Sequence, residues 1–268
     1  MKQPGLSLLT QRSPRVVSAR KLLQRKHRSS QRQFLAEGPQ AVREALRKKA
    51  VAELFVGESD KYADLAQTAL EQGIRVSALD NSALATLTET VTPQGIVAVC
   101  TFVDKRLDEL HIKAMQLAVM ATQISDPGNA GTVLRTADAA GADAVIFSED
   151  SVDPYNGKCV RASVGSIFHP AIVRGGASTD VVRTFEEAGF QILATTGYGD
   201  VGLFELAVAG ELAKPTLWLF GNEAHGLSGE LLELAHRKVA IPIYGEAESL
   251  NLATAAAVCL YSSAQAQN

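Results

Sequence analysis

From residue 38 onward, apolar positions in this chain switch repeatedly between helical spacing and short solid runs. Ala41, Val42, Ala45 and Leu46 make a stripe at helical spacing. Pro39 starts that helix, since its missing N–H falls where a first turn leaves donors unused. A short strand follows near Glu53 to Val56, then a helix through Leu65, Ala66 and Leu70 and a strand over Ile74 to Ala78. Asp80 or Asn81 can cap a helix over Leu84 to Leu87, and Gly95 to Phe102 reads as a buried strand.

Between Val103 and Lys113 the chain turns charged, with Asp104, Lys105, Arg106, Asp108 and Glu109 close together, as in a linker. Beyond it come strands over Leu117 to Ala121 and Ala144 to Phe147, a helix over Asp180 to Ala188, strands over Ile192 to Thr195 and Leu217 to Phe220, and a helix from Ser249 to about Ala264. Such alternation at short separations predicts an α/β fold with a mostly parallel sheet and helices on both faces. The expected division is an arm over 1–33, a small α/β domain over 34–106, a linker over 107–114 and a second domain over 115–268.

Three segments of the second domain carry the residues with chemistry. Asp126-Pro127-Gly128-Asn129-Ala130-Gly131-Thr132-Val133-Leu134-Arg135 sits at a strand-to-helix turn, broken by Pro127 and Gly128, where Asn129 can cap the helix. The amides of such a helix start suit a ribose-phosphate. Arg135 lies off the apolar stripe of Val133, Ala137 and Ala140, and its spacing from Asp138 also allows a surface ion pair. A nucleotide-triphosphatase loop is excluded, because Thr132-Val133 stands where a lysine and a hydroxyl are required. The three spaced glycines of a dinucleotide site are missing as well.

Leu219-Phe220-Gly221-Asn222-Glu223-Ala224-His225-Gly226-Leu227-Ser228 follows an apolar strand over Thr216 to Phe220. Gly221 falls at the strand's C-terminal end, where ligands bind in open α/β sheets, and lets backbone approach closely. Glu223 either works on a ligand or opens a helix ahead of Leu227 and Leu231, while His225 reads as a plain loop histidine. The third segment runs from Ile241-Pro242-Ile243 to Ser249-Leu250-Asn251. Ser249 stands where a cap would start the terminal helix, with Asn251 in its first turn beside Ala253, Ala255, Ala256 and Ala257. Those small residues suit tight packing, within the fold or against a second subunit.

Charge adds a partner class. Residues 1–50 hold 13 Lys and Arg against Glu37 and Glu44, a balance of +11, so with the whole chain at −3 the remainder carries −14. A basic front on an acidic body points to nucleic acid for the front, since cations gain affinity by releasing counterions from phosphates; a solvated tail is the plainer alternative. The acid-poor start also has the composition of a transit peptide, though no small-residue cleavage signal follows, and residues 6–9 are too short for a secretory signal. No apolar run is long enough to span a bilayer. Cys100, Cys159 and Cys259 lack the spacing of a zinc site or a disulfide framework, so no metal is expected and a reducing cytoplasm suits them.

Taken together and in this order, the three segments resemble the signatures of the SpoU branch of the SPOUT RNA methyltransferases, over about 115–268. The stretch Lys158 to Ser166 is similar to the family's Arg-Ala-Ser-x-Gly segment. Phe34-Leu35-Ala36-Glu37-Gly38 resembles the entry to the substrate-binding domain often attached to these enzymes, akin to a small RNA-binding ribosomal protein. Ala224 replaces a glycine common in the second segment.

The resemblance implies a parallel sheet whose C-terminal segment threads a trefoil knot, with S-adenosylmethionine bent inside it and a homodimer whose active sites lie near the interface. Gly221, Ile241 and Leu250 would frame the adenosine, with Thr195, Phe220 and Ser249 nearby. Arg135 takes the activating role, and Asn129, Glu223, Ser249 and Asn251 orient ribose and cofactor. Because a guanidinium stays protonated far above neutral pH, stabilising the developing alkoxide is the physically easier task for Arg135. Arg20, Lys21, Arg25, Lys26, Arg28, Arg32 and Arg161 are the cations read for RNA contact. The implied activity is 2′-O-methylation of a ribose in ribosomal RNA, in the cytoplasm, with no DNA or membrane partner. Transfer RNA as substrate, a non-catalytic RNA-binding protein keeping the fold, and a metabolite-binding α/β protein are the alternatives.

Overall fold

The computed structural model describes residues 8–57 and 60–268, and the chain divides into a first unit of residues up to Val103 plus Asp153–Phe168 and a second of Asp104–Val152 plus His169–Asn268. In the first unit the elements run β1 (Leu8–Leu9), α1 (Pro14–Lys21), α2 (Arg25–Gln31), β2 (Gln33–Glu37), α3 (Pro39–Arg47), β3 (Val51–Val56), α4 (Ala63–Glu71), β4 (Arg75–Leu79), α5 (Asn81–Leu87) and β5 (Ile96–Thr101). The sheet order is β1-β4-β3-β5-β2, with β4 parallel to β1 and β3, and β5 antiparallel to β3 and β2. Gly38, at φ +96°, turns the chain from β2 into α3, whose Val42, Ala45 and Leu46 are buried as their spacing requires.

Residues 14–31, expected as part of a basic arm, are two helices of this unit. Val16, Ala19 and Leu22 are buried in one cluster with Leu35, Phe55, Leu79 and Leu84. Their i, i+3, i+6 spacing is helical, but the surrounding cations mask it. Arg28 is buried too. Its Nε donates to Asp153 Oδ2 at 2.8 Å, and one Nη donates to the carbonyls of Leu22 and Leu23 at 3.0 and 2.8 Å. The segment 153–168 thereby belongs to the first unit, against the expected division. Tyr155 adds to the tie, with its ring centroid 4.6 Å from that of Phe34 and 3.9 Å from that of Phe102.

The second unit runs β6 (Leu117–Ala121), α6 (Pro127–Ala139), β7 (Ala144–Phe147), then past α7 (Gly157–Ser163) of the first unit to β8 (Ala171–Arg174), α8 (Ser178–Glu187), β9 (Gln191–Thr195), β10 (Val201–Gly202), α9 (Leu203–Val208), β11 (Thr216–Phe220), α10 (Gly229–Leu234), β12 (Arg237–Ala240) and α11 (Leu252–Gln267). Seven strands form one sheet in the order β10-β12-β9-β11-β6-β7-β8, and every pairing is parallel. β6 and β11 are buried at every position, as central strands covered on both faces must be. Residues 104–114 are not a free linker: Lys105 N–H donates to the Ile172 carbonyl at 2.8 Å, Arg174 pairs with Asp104 at 3.3 Å, and Ile112 is buried in the core under the sheet. The chain lays β7 and β8 to one side of β6 and β9 to the far side of β11, so the loops leaving β6, β9 and β11 border a topological switch point.

The Arg28–Asp153 pair, at 4 % exposure for each side chain, generates a stability prediction. Asp153→Ala leaves a buried guanidinium without its carboxylate and should destabilise the first unit by about 3 kcal/mol, read as a lower urea midpoint. A midpoint within experimental scatter of the parent would mean that the pair contributes nothing.

Candidate active site

Asp126, not Asn129, caps α6: its Oδ1 accepts from the Asn129 N–H at 2.8 Å, with Pro127 in the first turn. That frees the Asn129 side chain, whose Nδ2 donates to Glu223 Oε1 at 3.0 Å. Glu223 lies in the loop before α10, whose cap is Ser228, so it does not open a helix. Its Oε2 accepts from the Ser125 N–H at 3.3 Å and the Ser125 hydroxyl at 3.1 Å. The third segment closes the set. Asn251, rather than Ser249, caps α11, its Oδ1 accepting from Ala253 N–H at 2.9 Å while its Nδ2 donates to Asn129 Oδ1 at 3.2 Å. Three residues far apart in sequence thus form one chain of hydrogen bonds, Asn251 to Asn129 to Glu223.

Burial acts to raise the Glu223 pKa, but hydrogen bonds from Asn129, its own backbone and Ser125 outweigh it, so the net shift is downward from the ordinary 4.5. The group is a carboxylate at neutral pH. Its loop is held by Asn222, which sequence reasoning passed over. Asn222 exchanges backbone hydrogen bonds with Gly226 at 2.9 Å each way, donates through Nδ2 to the Gln123 carbonyl at 2.7 Å and accepts at Oδ1 from Ala224 and His225 N–H at 2.8 and 3.2 Å. Gly221 is fixed by this fold-back: a Cβ there would overlap the backbone of Gly226 and Leu227. Its glycine is required by the loop itself, a different reason from ligand approach.

Beside this chain lies a cavity of about 420 Å³. Thr195, Phe220, Gly221, Ile241, Ser249 and Leu250 all line it, and so do Glu223 and Asn251. Thr196, Gly197, Val239 and Glu248 also line it and were not singled out from sequence. Among the described lining residues there are two carboxylates and no lysine or arginine. Its volume is within the usual span of small-molecule sites, about 300–1,000 Å³.

Arg135 is elsewhere. It is exposed on α6, six residues or roughly 9 Å along the axis from Asn129, and does not line the cavity. The surface ion pair with Asp138 does not form either, because Asp138 Oδ2 bonds His169 Nδ1 at 2.8 Å. Of the cations read for RNA, Arg20, Lys21, Arg25, Lys26 and Arg32 are exposed on the first unit. Arg28 is buried and spent on Asp153, which removes it as a phosphate contact, whereas Arg161 is partly exposed, 3.7 Å from Glu37 and 3.4 Å from Glu89.

Three hydrogen-bonded side chains beside a cavity at the switch point of a parallel sheet make a small-molecule site of the α/β kind, and comparison with known proteins identifies the family. Residues 116–261 match the SpoU rRNA Methylase family and residues 13–98 an MRM3-like substrate binding domain. The chain belongs to the SpoU rRNA methylase family. It is 34 % identical over 93 % of its length, and 96 % of the other's, to the 23S rRNA (guanosine(2553)-2′-O)-methyltransferase RlmP of Bacillus subtilis. Its fold is similar to that of an AdoMet-bound rRNA methyltransferase from Sinorhizobium meliloti, with a TM-score of 0.86 and 32 % identity over 97 % of this chain and 98 % of that one. The SpoU methyltransferase AviRb from Streptomyces viridochromogenes, in complex with AdoMet, aligns with a TM-score of 0.82 at 29 % identity, over 94 % of this chain and 98 % of that one.

The lowered Glu223 pKa sets the site's response to acid. The sign is that of a depressed carboxylate: its hydrogen bonds hold fully above the ordinary value and are lost as pH falls through the lowered one. In a carbon-detected NMR titration Glu223 should have its midpoint below 4.5, and Asn129→Ala should move it upward. A parent midpoint at or above 4.5 would contradict the network.

Proposed function

We propose that this protein transfers the methyl group of S-adenosylmethionine to the 2′-hydroxyl of a ribose in RNA, ribosomal RNA of the 23S type being its substrate, in the cytoplasm. The observation that carries the reading is the Asn251–Asn129–Glu223 chain at the lip of a cavity with carboxylates and no cations among its described lining residues. The cavity fits the cofactor chemically. Phe220, Val239, Ile241 and Leu250 offer apolar surface to a purine, while Glu223 and Glu248 suit a molecule bearing sulfonium and ammonium charges.

When bound, S-adenosylmethionine supplies an electrophilic methyl carbon. The protein's task is to hold the ribose in line with it, and such positioning accounts for a large part of the rate. Asn129 and Asn251 offer amide groups to the ribose from helix starts fixed by their own caps, and Glu223 keeps Asn129 turned the right way. Arg135, which does not line the cavity of its own chain, is assigned to the cavity of a second copy in a homodimer, where its charge stabilises the forming alkoxide. The C-terminal segment is read as a trefoil knot, a rare exception to unknotted topology. Backbone crowding favours that reading: a Cβ at Gly199 would overlap the Lys238–Ala240 backbone, as one at Gly221 would overlap Gly226.

Methylation mapping of ribosomal and transfer RNA from cells with and without the protein tests the substrate, and a difference confined to transfer RNA would replace the ribosomal reading. Arg135→Ala should lower single-turnover methyl transfer at least about 100-fold while leaving cofactor affinity within about twofold. Mixed with Gly221→Val, whose added side chain displaces the Gly226–Leu227 backbone and so spoils the cofactor pocket, it should recover about a quarter of wild-type activity, because half of the dimers are mixed and one of their two sites is complete. No recovery on co-expression would place Arg135 in its own chain's site or outside catalysis.

The exposed cations of α1 and α2, Arg20, Lys21, Arg25 and Lys26, together with the adjoining Arg32, are assigned to RNA backbone. With five of them on single-stranded or looped phosphates, the slope of log affinity against log salt should be near about −3.5. Replacing Arg20, Lys21, Arg25 and Lys26 by glutamine should flatten it by roughly 3 while cofactor binding persists. An unchanged slope would assign recognition to another surface. Substitution is preferable to deleting residues 1–33, since deletion would remove helices that contribute to the core.

A further inference from the structure

The three loops that frame the cavity each carry one exposed ring. Tyr198 follows Thr195, Thr196 and Gly197, His225 lies between Glu223 and Gly226, and Tyr244 follows Ile241 and Ile243. Of the five tyrosines, Tyr62 and Tyr155 are buried and Tyr261 is half exposed, whereas Tyr198 and Tyr244 are 97 % and 87 % exposed. The two most solvent-exposed tyrosines of the chain therefore both belong to loops around this one cavity. Neither lines it.

Two of these rings, Tyr198 and His225, sit on loops whose backbone is anchored. Tyr198 is flanked by Gly197 and Gly199, its N–H donates to Thr196 Oγ1 at 3.3 Å, and Gly199 packs so closely on the Lys238–Ala240 backbone that no side chain fits. The next residue is anchored in both directions, Asp200 N–H donating to the Lys238 carbonyl at 2.9 Å and Lys238 N–H to Asp200 Oδ1 at 3.1 Å. The His225 backbone is likewise fixed by Asn222. An aromatic side chain kept in water on an anchored loop leaves a large apolar face uncovered.

The charge on the same loops narrows what covers those faces. Residues 196–200, 221–228 and 241–251 contain Asp200, Glu223, Glu246 and Glu248 and neither lysine nor arginine. A phosphate backbone finds no cation on these loops. A nucleobase face is neutral, flat and polarisable, and it stacks on tyrosine or histidine without a countercharge.

We propose that Tyr198 and Tyr244, with His225 on the third loop of the cavity's rim, form a stacking platform for unpaired bases of the RNA substrate next to the ribose being methylated. This rests on the RNA methyltransferase reading above. It separates two tasks: cations on the first unit draw the RNA in through its phosphates, and rings at the cavity mouth hold the bases of the reacting segment through contacts insensitive to salt.

The test uses the full-length protein, 23S-type ribosomal RNA from cells lacking it, and S-adenosylmethionine. Tyr198→Ala and Tyr244→Ala should each raise KM for RNA about fivefold or more, and the double variant by more than either. Maximal rate at saturating RNA, cofactor affinity and the salt slope should stay near the parent's. Tyr→Phe at each position should keep the parental KM, because the ring and not the hydroxyl does the stacking. Light scattering on the same samples tests the rival occupant, a second copy of this chain. Alanine variants with parental KM would overturn the platform and leave the methyltransferase reading intact. Phenylalanine variants as poor as alanine would replace stacking by a hydroxyl hydrogen bond, and alanine variants that lose self-association would assign the rings to a subunit interface. A wild-type protein that methylates no RNA removes the platform together with the reading on which it rests.

Discussion

Asn129 has a donor at one end of its amide and an acceptor at the other, and the site depends on both being used at once. Its Nδ2 goes to Glu223 and its Oδ1 receives Asn251, so the start of α6, the loop after β11 and the start of α11 are fixed relative to one another. This is available only because each helix start is capped by a different group. Asp126 satisfies the first turn of α6 and leaves Asn129 free, whereas Asn251 spends its oxygen on its own helix and its nitrogen on Asn129. Carboxylate at position 129 would lose the donor and face Glu223 with like charge, a cost the present arrangement avoids.

The backbone has to come close for those three elements to meet. Gly221 and Gly199 are the places where it does, each so near a neighbouring strand or loop that a Cβ would overlap backbone atoms. Parallel central strands such as β6 and β11 are buried along their full length, and the polar side-chain atoms of β11, Thr216 Oγ1 and Trp218 Nε1, are already hydrogen-bonded within the fold, so chemistry is left to the C-terminal ends. Cavity, network and glycine contacts are in that sense one consequence of the strand order.

Much of this was legible before any coordinates. Solid apolar runs located β6, β7, β9 and β11, and the residues drawn from the third segment and from Phe220–Gly221 do line one cavity. What sequence hid has physical causes. Helices α1 and α2 were obscured because cations occupy most of their positions and their apolar residues are few, although a three-residue spacing was there to find in Val16, Ala19 and Leu22. Cap assignments slipped by two or three residues, from Asp126 to Asn129 and from Asn251 to Ser249, since Asp, Asn and Ser all suit that position and only the geometry of the first turn separates them. Arg28 looked like every other cation of the front until its partner Asp153, more than a hundred residues on, was in view. No local pattern encodes such a pair.

Arg135 illustrates how a residue's isolation can be informative. Asp138, its natural partner by spacing, is committed to His169, so its guanidinium stays free of intrachain ion pairs among the described residues while the cavity wall nearby carries only carboxylates. An arginine inside that cavity would pair with Glu223 or Glu248 and oppose binding of a cationic cofactor, neutralising the feature that makes the cavity selective. Kept outside, the same charge does no harm when the cofactor enters, and is useful only when negative charge develops on the ribose oxygen. Separating the permanent cation from the cofactor's cation is thus compatible with both binding and catalysis, and in the proposed homodimer a second copy of the chain would bring the two together when substrate lies between them.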